Sequence, residues 1–244
     1  MTTTHTAPER YTAEEFEHSV VSHSPAIAVF DCDGTLWSGD AGYGFMVWSI
    51  DQGLVSRNSS DWIDAQYRLY LTGDVSEEQI CGEMVQIYAD LHEDELRRAA
   101  ADYFRQHIEP HIFPELRALV ASLQARGTDI WAVSSTNNWV IEEGVSRFNI
   151  PADRVLSARV RVHDNRITSE LIDVPTGPAK AAALRRAGIS NPDAVFGNSI
   201  HDEAMLAIAK HAYPVNPSPA LLESAAHNNW PVFYPESVLA DPKA

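Results

Sequence analysis

Ala28-Val29-Phe30-Asp31-Cys32-Asp33-Gly34-Thr35-Leu36 is the stretch on which the fold turns. Its short, bulky apolar run reads as a buried strand that ends in two carboxylates spaced by one residue. Side chains alternate along a strand, so Asp31 and Asp33 share a direction, and Gly34 lets the chain turn at once. In an open α/β sheet the carboxyl ends of the strands are where ligands bind. Two carboxylates this close repel unless a cation or a shared proton separates them. The pair therefore implies a bound metal or a division of labour between acid and base. Taken alone, Asp-x-Asp-Gly reads equally well as two turn-capping carboxylates, and the rest of the chain has to decide.

Three further segments repeat the theme. Ile130-Trp131-Ala132-Val133 runs into Ser134-Ser135-Thr136-Asn137-Asn138, which puts hydroxyls and amides at a second strand end. Thr176-Gly177-Pro178-Ala179-Lys180 follows, with Pro178 suited to a first helical turn and Lys180 opening an alanine-rich helix to Ala187. Ala194-Val195-Phe196-Gly197-Asn198-Ser199-Ile200-His201-Asp202 is a third apolar run that breaks into polar groups. Each has an ordinary reading by itself: Ser134 as a helix cap, Lys180 as a solvated lysine, Asp202 as a carboxylate complementing a helix dipole.

In this order the four segments resemble the motifs of the haloacid dehalogenase (HAD) superfamily, specifically its phosphoserine phosphatase-like branch. The resemblance spans most of the chain. It implies a phosphoryl-transfer site with Asp31 as nucleophile and Asp33 as general acid and base. Ser134, Ser135, Lys180, Gly34 and Thr35 then bind the phosphoryl oxygens, and Asp31, Asp33, Asn198 and Asp202 supply a magnesium (Mg2+) site. The residue types suit that chemistry. A phosphate ester repels an attacking carboxylate, and a hard dication with oxygen ligands and a lysine neutralise the repulsion. A carboxylate nucleophile splits hydrolysis into two steps through an aspartyl phosphate, and an acid at Asp33 favours phosphate over halide chemistry. One position departs from the family pattern, which has Asp where this chain has Asn198. An amide oxygen still suits a hard cation but carries no charge, so the expectation is weaker metal binding. The alternative is a shifted register in which Asp202 is the direct ligand, and the sequence does not choose between them.

Composition agrees with a compact enzyme. The chain has 244 residues, 45% of them hydrophobic, and 18 Lys and Arg against 34 Asp and Glu leave a formal net charge of −16. That balance argues against nucleic acid and anionic membrane surfaces, which recruit basic patches. Two cysteines, Cys32 and Cys81, give no disulfide framework and suit a reducing, cytoplasmic compartment. The stretch from Met1 to Val20 lacks the apolar centre of a secretory signal, and no apolar run approaches the roughly 20 residues of a membrane span. The histidines, His201 included, show no metal-ligand spacing. Oligomeric state is not legible.

The expected fold class is α/β: a Rossmann-like, mostly parallel sheet over residues 24–37 and 110–244, with a small helical cap inserted over 38–109 and an N-terminal extension over 1–23. Between Leu36 and Pro110 the pattern is helical, with helices expected at 61–71 and 76–91. The second of these opens with a Ser76/Gln79 capping box before Ile80, Met84 and Ile87. Leu116, Leu119, Val120 and Leu123 form one helical face ended by Gly127. Residues 159–172 alternate around 163–166 as a hairpin, and 212–215 and 231–234 are short apolar runs. The first two dozen residues are either disordered or a helix over 13–21.

In the resembled branch the cap selects the substrate. Asp40 falls where phosphoserine phosphatases carry the acid that receives the substrate ammonium, although a turn residue after Gly39 explains it equally. Glu83 falls where a cap arginine would grip a substrate carboxylate, and Arg68, one helix earlier, replaces that arginine only in a differently packed cap. Tyr43, Phe45, Trp48, Trp62, Tyr67 and Tyr70, with Trp37 at the entrance, read as cap core or as faces for a cation. The expected activity is hydrolysis of a small phosphorylated metabolite, an ester of a cationic or neutral alcohol rather than phosphoserine. The alternatives are phosphotransfer from the same intermediate and a catalytically weakened binding or sensing protein.

Overall fold

The computed structural model describes residues 7–240, so residues 1–6 of the expected N-terminal extension lie outside the described residues. In chain order the elements are β1 (Arg10–Tyr11), α1 (Ala13–Ser22), β2 (Ile27–Phe30), α2 (Ala41–Asp51), α3 (Arg57–Thr72), α4 (Glu77–Gln86), α5 (Glu93–Tyr103), α6 (Pro114–Ala125), β3 (Asp129–Asn137), α7 (Asn138–Ser146), β4 (Val155–His163), β5 (Arg166–Asp173), α8 (Pro178–Arg186), β6 (Ala194–Gly197), α9 (Glu203–Leu206), β7 (His211–Pro214), α10 (Pro219–Asn228), β8 (Val232–Phe233) and α11 (Glu236–Ala240). They form two compact units. The first holds the described residues to Gly39, His111–Val133 and Gly177 onward, and the second holds Asp40–Pro110 and Ser134–Thr176.

In the first unit the order β3-β2-β6-β7 is parallel throughout, with β2 between β3 (Ile27↔Asp129) and β6 (Ala28↔Ala194). Ala28, Val29 and Phe30 are fully buried, as are Val195 and Phe196, because a parallel strand is covered on both faces. Ring stacking continues the register sideways: Phe30 lies on Phe196 at 4.2 Å and Phe196 on Tyr213 at 5.2 Å. Gly127 ends the helical segment ahead of β3 at φ +86°, as its sequence position predicts.

Within the described part of the extension, residues 13–22 are helical. Thr12 and Glu15 form a reciprocal capping box that launches α1. Phe16 then stacks on Phe233 at 4.2 Å and meets Phe196 and Tyr213 edge-on. β1 pairs in parallel with β8, so this extension is built into the first unit.

The second unit combines α2–α5, α7 and the β4–β5 hairpin, whose turn residues Asp164 and Asn165 both take positive φ. The expected helix over 76–91 is shorter: α4 ends at Gln86, and Asp90 turns the chain at φ +71°, where its N–H donates to the Ile167 carbonyl. The expected Ser76/Gln79 box is half formed. Ser76 accepts from the Gln79 N–H, but the Gln79 side chain donates to Glu83 instead of turning back. Neither Cys32 nor Cys81 forms a disulfide, and no helix among the described residues is long and apolar enough to cross a membrane.

Candidate active site

β2 delivers Asp31 to the sheet edge, where its N–H donates to the Phe196 carbonyl at 2.9 Å. The chain then folds back on itself, the N–H groups of Thr35 and Leu36 both donating to the Cys32 carbonyl. Gly34 makes that turn at φ +74°, and a Cβ there would stand 1.8 Å from the Asn198 side chain. Glycine is needed twice over, for the left-handed backbone and for the close approach of Asn198.

Three charged groups converge on this edge. Lys180 Nζ donates to Asp31 Oδ1 at 2.7 Å and to Asp202 Oδ1 at 2.5 Å. Lys180 is 3% exposed, Asp31 5% and Asp202 0%, so the cluster is dry. Asp31 Oδ2 accepts from the Thr35 hydroxyl at 2.8 Å. Asp202 Oδ2 accepts from the N–H groups of Asn198 and Ser199, both at 2.9 Å, and from the Ser199 hydroxyl. The short α8 helix, begun by Pro178, carries Lys180 inward, while the close packing of Gly197 on Asp202, whose Cβ would lie 2.6 Å from a Cβ at Gly197, seats the loop after β6.

The charges explain the protonation states. Burial pushes the Asp31 carboxyl up to about 6, and Asp202 adds to the shift while Lys180 opposes it. For Lys180, burial works against the charge but Asp202 and Asp31 outweigh it, so its ammonium is held well above the ordinary range. Lys180 is accordingly a fixed cation rather than a proton donor. Asp31 is a carboxylate kept close to neutrality's edge, poorly solvated and held on both oxygens.

Asp33 is partly exposed, and its Oδ1 accepts from the Trp37 indole N–H at 2.7 Å. Trp37 itself is 0% exposed, which removes it from the aromatics that could face a cation. Nothing in the sequence announced this contact.

The first unit therefore brings Asp31, Asp33, Gly34, Thr35, Lys180, Asn198 and Asp202 to one sheet edge, while Ser134, Ser135, Asp40 and Glu83 are side chains of the second unit. Ser134 is buried and its Oγ accepts from the Thr136 N–H at 3.1 Å. Asp40 caps α2, accepting from the Tyr43 N–H at 2.8 Å. Glu83 Oε1 accepts from Gln79 at 2.8 Å, and its Oε2 is buried with no hydrogen-bond partner among the described residues. The aromatics divide. Phe45 is core, packed on Trp48, Tyr88 and Tyr103. Tyr43 is 38% exposed and stacks on Tyr67 at 4.6 Å, which in turn meets Tyr70.

Among the described residues no three His, Cys, Asp or Glu side chains form a metal-holding group. The donors that remain at the sheet edge are nevertheless oxygens of the hard kind: Asp31, whose two carboxylate oxygens each accept one protein hydrogen bond, Asp33, and the amide of Asn198 against Gly34. Such a set fits a small hard dication. Asp202 is differently placed, its oxygens already engaged by Lys180 and by the loop amides.

A family model for haloacid dehalogenase-like hydrolases matches residues 28–207. A histidinol-phosphatase of Neisseria meningitidis serogroup C (strain 8013) is 25% identical over 217 residues, covering 84% of this chain and 97% of that protein. A Bordetella pertussis Tohama I protein of unknown function superposes with a TM-score of 0.76 at 22% identity, over 85% of this chain and 97% of that one. A substrate-bound phosphoserine phosphatase complex does so with a TM-score of 0.58 at 16% identity, over 86% and 92%. With the family model spanning all four motifs, the chain belongs to the haloacid dehalogenase-like hydrolases and has the fold of their phosphoserine phosphatase-like branch.

Proposed function

We propose that the chain is a magnesium-dependent phosphomonoester hydrolase of a small metabolite, working through an aspartyl phosphate on Asp31, and that the ester is one of a cationic or neutral alcohol. The observation that carries the reading is the buried Asp31 carboxylate, held by Lys180 on one oxygen and Thr35 on the other. Two hydrogen bonds fix its direction, and its poor solvation leaves it little water to shed before attack.

Asp31 forms a bond to phosphorus as the ester bond breaks, and Asp33 gives a proton to the departing alkoxide. In the second step Asp33 takes a proton from the water that attacks the aspartyl phosphate, releasing inorganic phosphate and restoring the Asp31 carboxylate and the acid form of Asp33. Lys180 stays charged throughout and offsets the phosphoryl oxygens, and Ser134, Ser135 and the turn at Gly34 and Thr35 donate to them. Asp31, Asp33 and Asn198 would hold the magnesium, which supplies charge neutralisation to the transferring group. Asp202 acts behind Lys180, orienting it, and is not needed as a ligand. Cytoplasmic residence fits the absence of a disulfide at either cysteine.

The substrate class rests on residues 38–109 acting as the specificity cap. An orphaned Glu83 oxygen, the Asp40 carboxylate and the exposed Tyr43, stacked on the half-buried Tyr67, suit a cationic group and would repel a carboxylate. A related histidinol-phosphatase is named for the ester of an amino alcohol. The test is a panel of phosphorylated metabolites, including phosphoethanolamine, phosphocholine, histidinol phosphate, polyol phosphates and phosphoserine, assayed with magnesium and with chelator. Alongside it, acid-quenched protein is mapped for a phosphoryl group on Asp31. Turnover by well-purified Asp31→Asn protein overturns the nucleophile, and phosphoserine as best substrate overturns the cap reading alone.

A further inference from the structure

We propose that Trp37 is a positioning residue for Asp33: its indole N–H fixes one carboxylate oxygen and so sets the heading of the other. The proposal rests on the reading of Asp33 as general acid and base. The contact is short, 2.7 Å from Nε1 to Oδ1, and it joins a partly exposed carboxylate to a completely buried donor. An indole N–H can only donate. The oxygen facing Trp37 is therefore the acceptor, and Oδ2 is the oxygen turned away from the indole.

Trp37 is itself immobilised. Its backbone forms bridges to Asp33 on one side and to Ile112 on the other. The neighbouring residues are tied in the same way, with the Phe113 N–H on the Leu36 carbonyl and the Ser38 N–H on the His111 carbonyl, both at 3.0 Å. The last torsion of a carboxylate on a short side chain is broad and roughly two-fold, and a fixed donor on one oxygen narrows that choice. With the ring anchored in the core and its N–H aimed at Oδ1, Asp33 presents one oxygen in one orientation in both half-reactions. In the first, the Asp33 proton passes to the alkoxide as the phosphorus–oxygen bond breaks. In the second, Asp33 receives a proton from the attacking water.

The test uses Trp37→Phe, which keeps a buried ring and deletes the donor. The benzothienyl analogue of tryptophan, incorporated at position 37, keeps the bicyclic shape and replaces N–H by sulfur should the phenylalanine variant fold poorly. Each is compared with the parent on phosphoethanolamine, whose alkoxide needs a proton to leave, and on 4-nitrophenyl phosphate, whose leaving group does not. A misplaced catalytic group costs up to about 100-fold, so kcat/KM for phosphoethanolamine is expected to fall roughly 10- to 100-fold. The nitrophenyl ester should lose less than about threefold, its departure not calling on the general acid. In an Asp33→Asn background the Trp37 substitution should have no further effect on either ester. Equal losses on the two esters, or a loss that persists beside Asp33→Asn, overturn the proposal. If Asp33→Asn itself fails to discriminate between the esters, the general-acid reading fails, and the role of Trp37 fails with it.

Discussion

Replacing the nucleophile should make the protein more stable, and in a pH-dependent way. Burial raises the Asp31 carboxyl from an ordinary value of 3.8 to about 6. A group whose native pKa lies above its unfolded one contributes fully to stability below the unfolded value, and that contribution is lost as pH rises through the native value. Across roughly pH 4 to 6, ionising Asp31 thus costs the native state about 1.4 kcal/mol per pH unit, or about 3 kcal/mol by pH 7. Asp31→Asn removes the ionisation and keeps an oxygen that can accept from Lys180. The expected outcome is a variant about 2–3 kcal/mol more stable than the parent near pH 7.5, with the difference shrinking towards zero near pH 4. Urea unfolding of both proteins at several pH values, in chelator so that metal makes no contribution, reads this directly. A stability difference that stays flat between pH 4 and pH 7.5 would refute the account of Asp31 as a carboxylate held against its own solvation.

Three further outcomes are expected. Asn198→Asp should lower the magnesium concentration for half-maximal activity by about tenfold, since a charged oxygen replaces a neutral one; unchanged metal dependence, with its loss in Asp202→Asn, would transfer the ligand role to Asp202. Glu83→Ala should narrow the preference against phosphoserine by about tenfold, roughly 1.4 kcal/mol, read as a ratio of kcat/KM values. Phe16→Ala should cost about 3–5 kcal/mol in chemical denaturation, because the ring is buried against Phe196, Tyr213 and Phe233; a cost below about 1 kcal/mol would mean that α1 is not part of the first unit's core.

Much of the sheet was legible because β2, β3 and β6 are short apolar runs closed by polar residues, and that pattern survives in any tertiary context. The runs at 28–30, 130–133 and 194–196 became β2, part of β3 and β6, and the runs at 212–215 and 231–234 became β7 and β8. The hairpin was legible from Asp164 and Asn165, which tolerate positive φ. Directions of side chains were not. Lys180 was expected on phosphate oxygens alone, whereas it bridges Asp31 and Asp202, a relation between residues 22 and 149 positions from it that no local pattern encodes. Trp37 read as an aromatic at the entrance of the cap because sequence gives ring chemistry but not the heading of an N–H. Gln79 fitted a capping box in spacing, and Glu83 one turn on took its amide instead.

The position of β2 bears on how the chain reaches this state during synthesis. β2 pairs only with strands about 100 and about 170 residues further along, and with none nearer. At a translation rate of roughly 5–20 residues per second, its Ala-Val-Phe segment waits about 10–30 seconds for the later of its two neighbours. For that interval an apolar, β-prone stretch has no sheet to enter, and closing so long a loop slows pairing even after release. The strand that carries the nucleophile is therefore, of the four parallel strands, the one that leaves the ribosome first and waits longest for its neighbours.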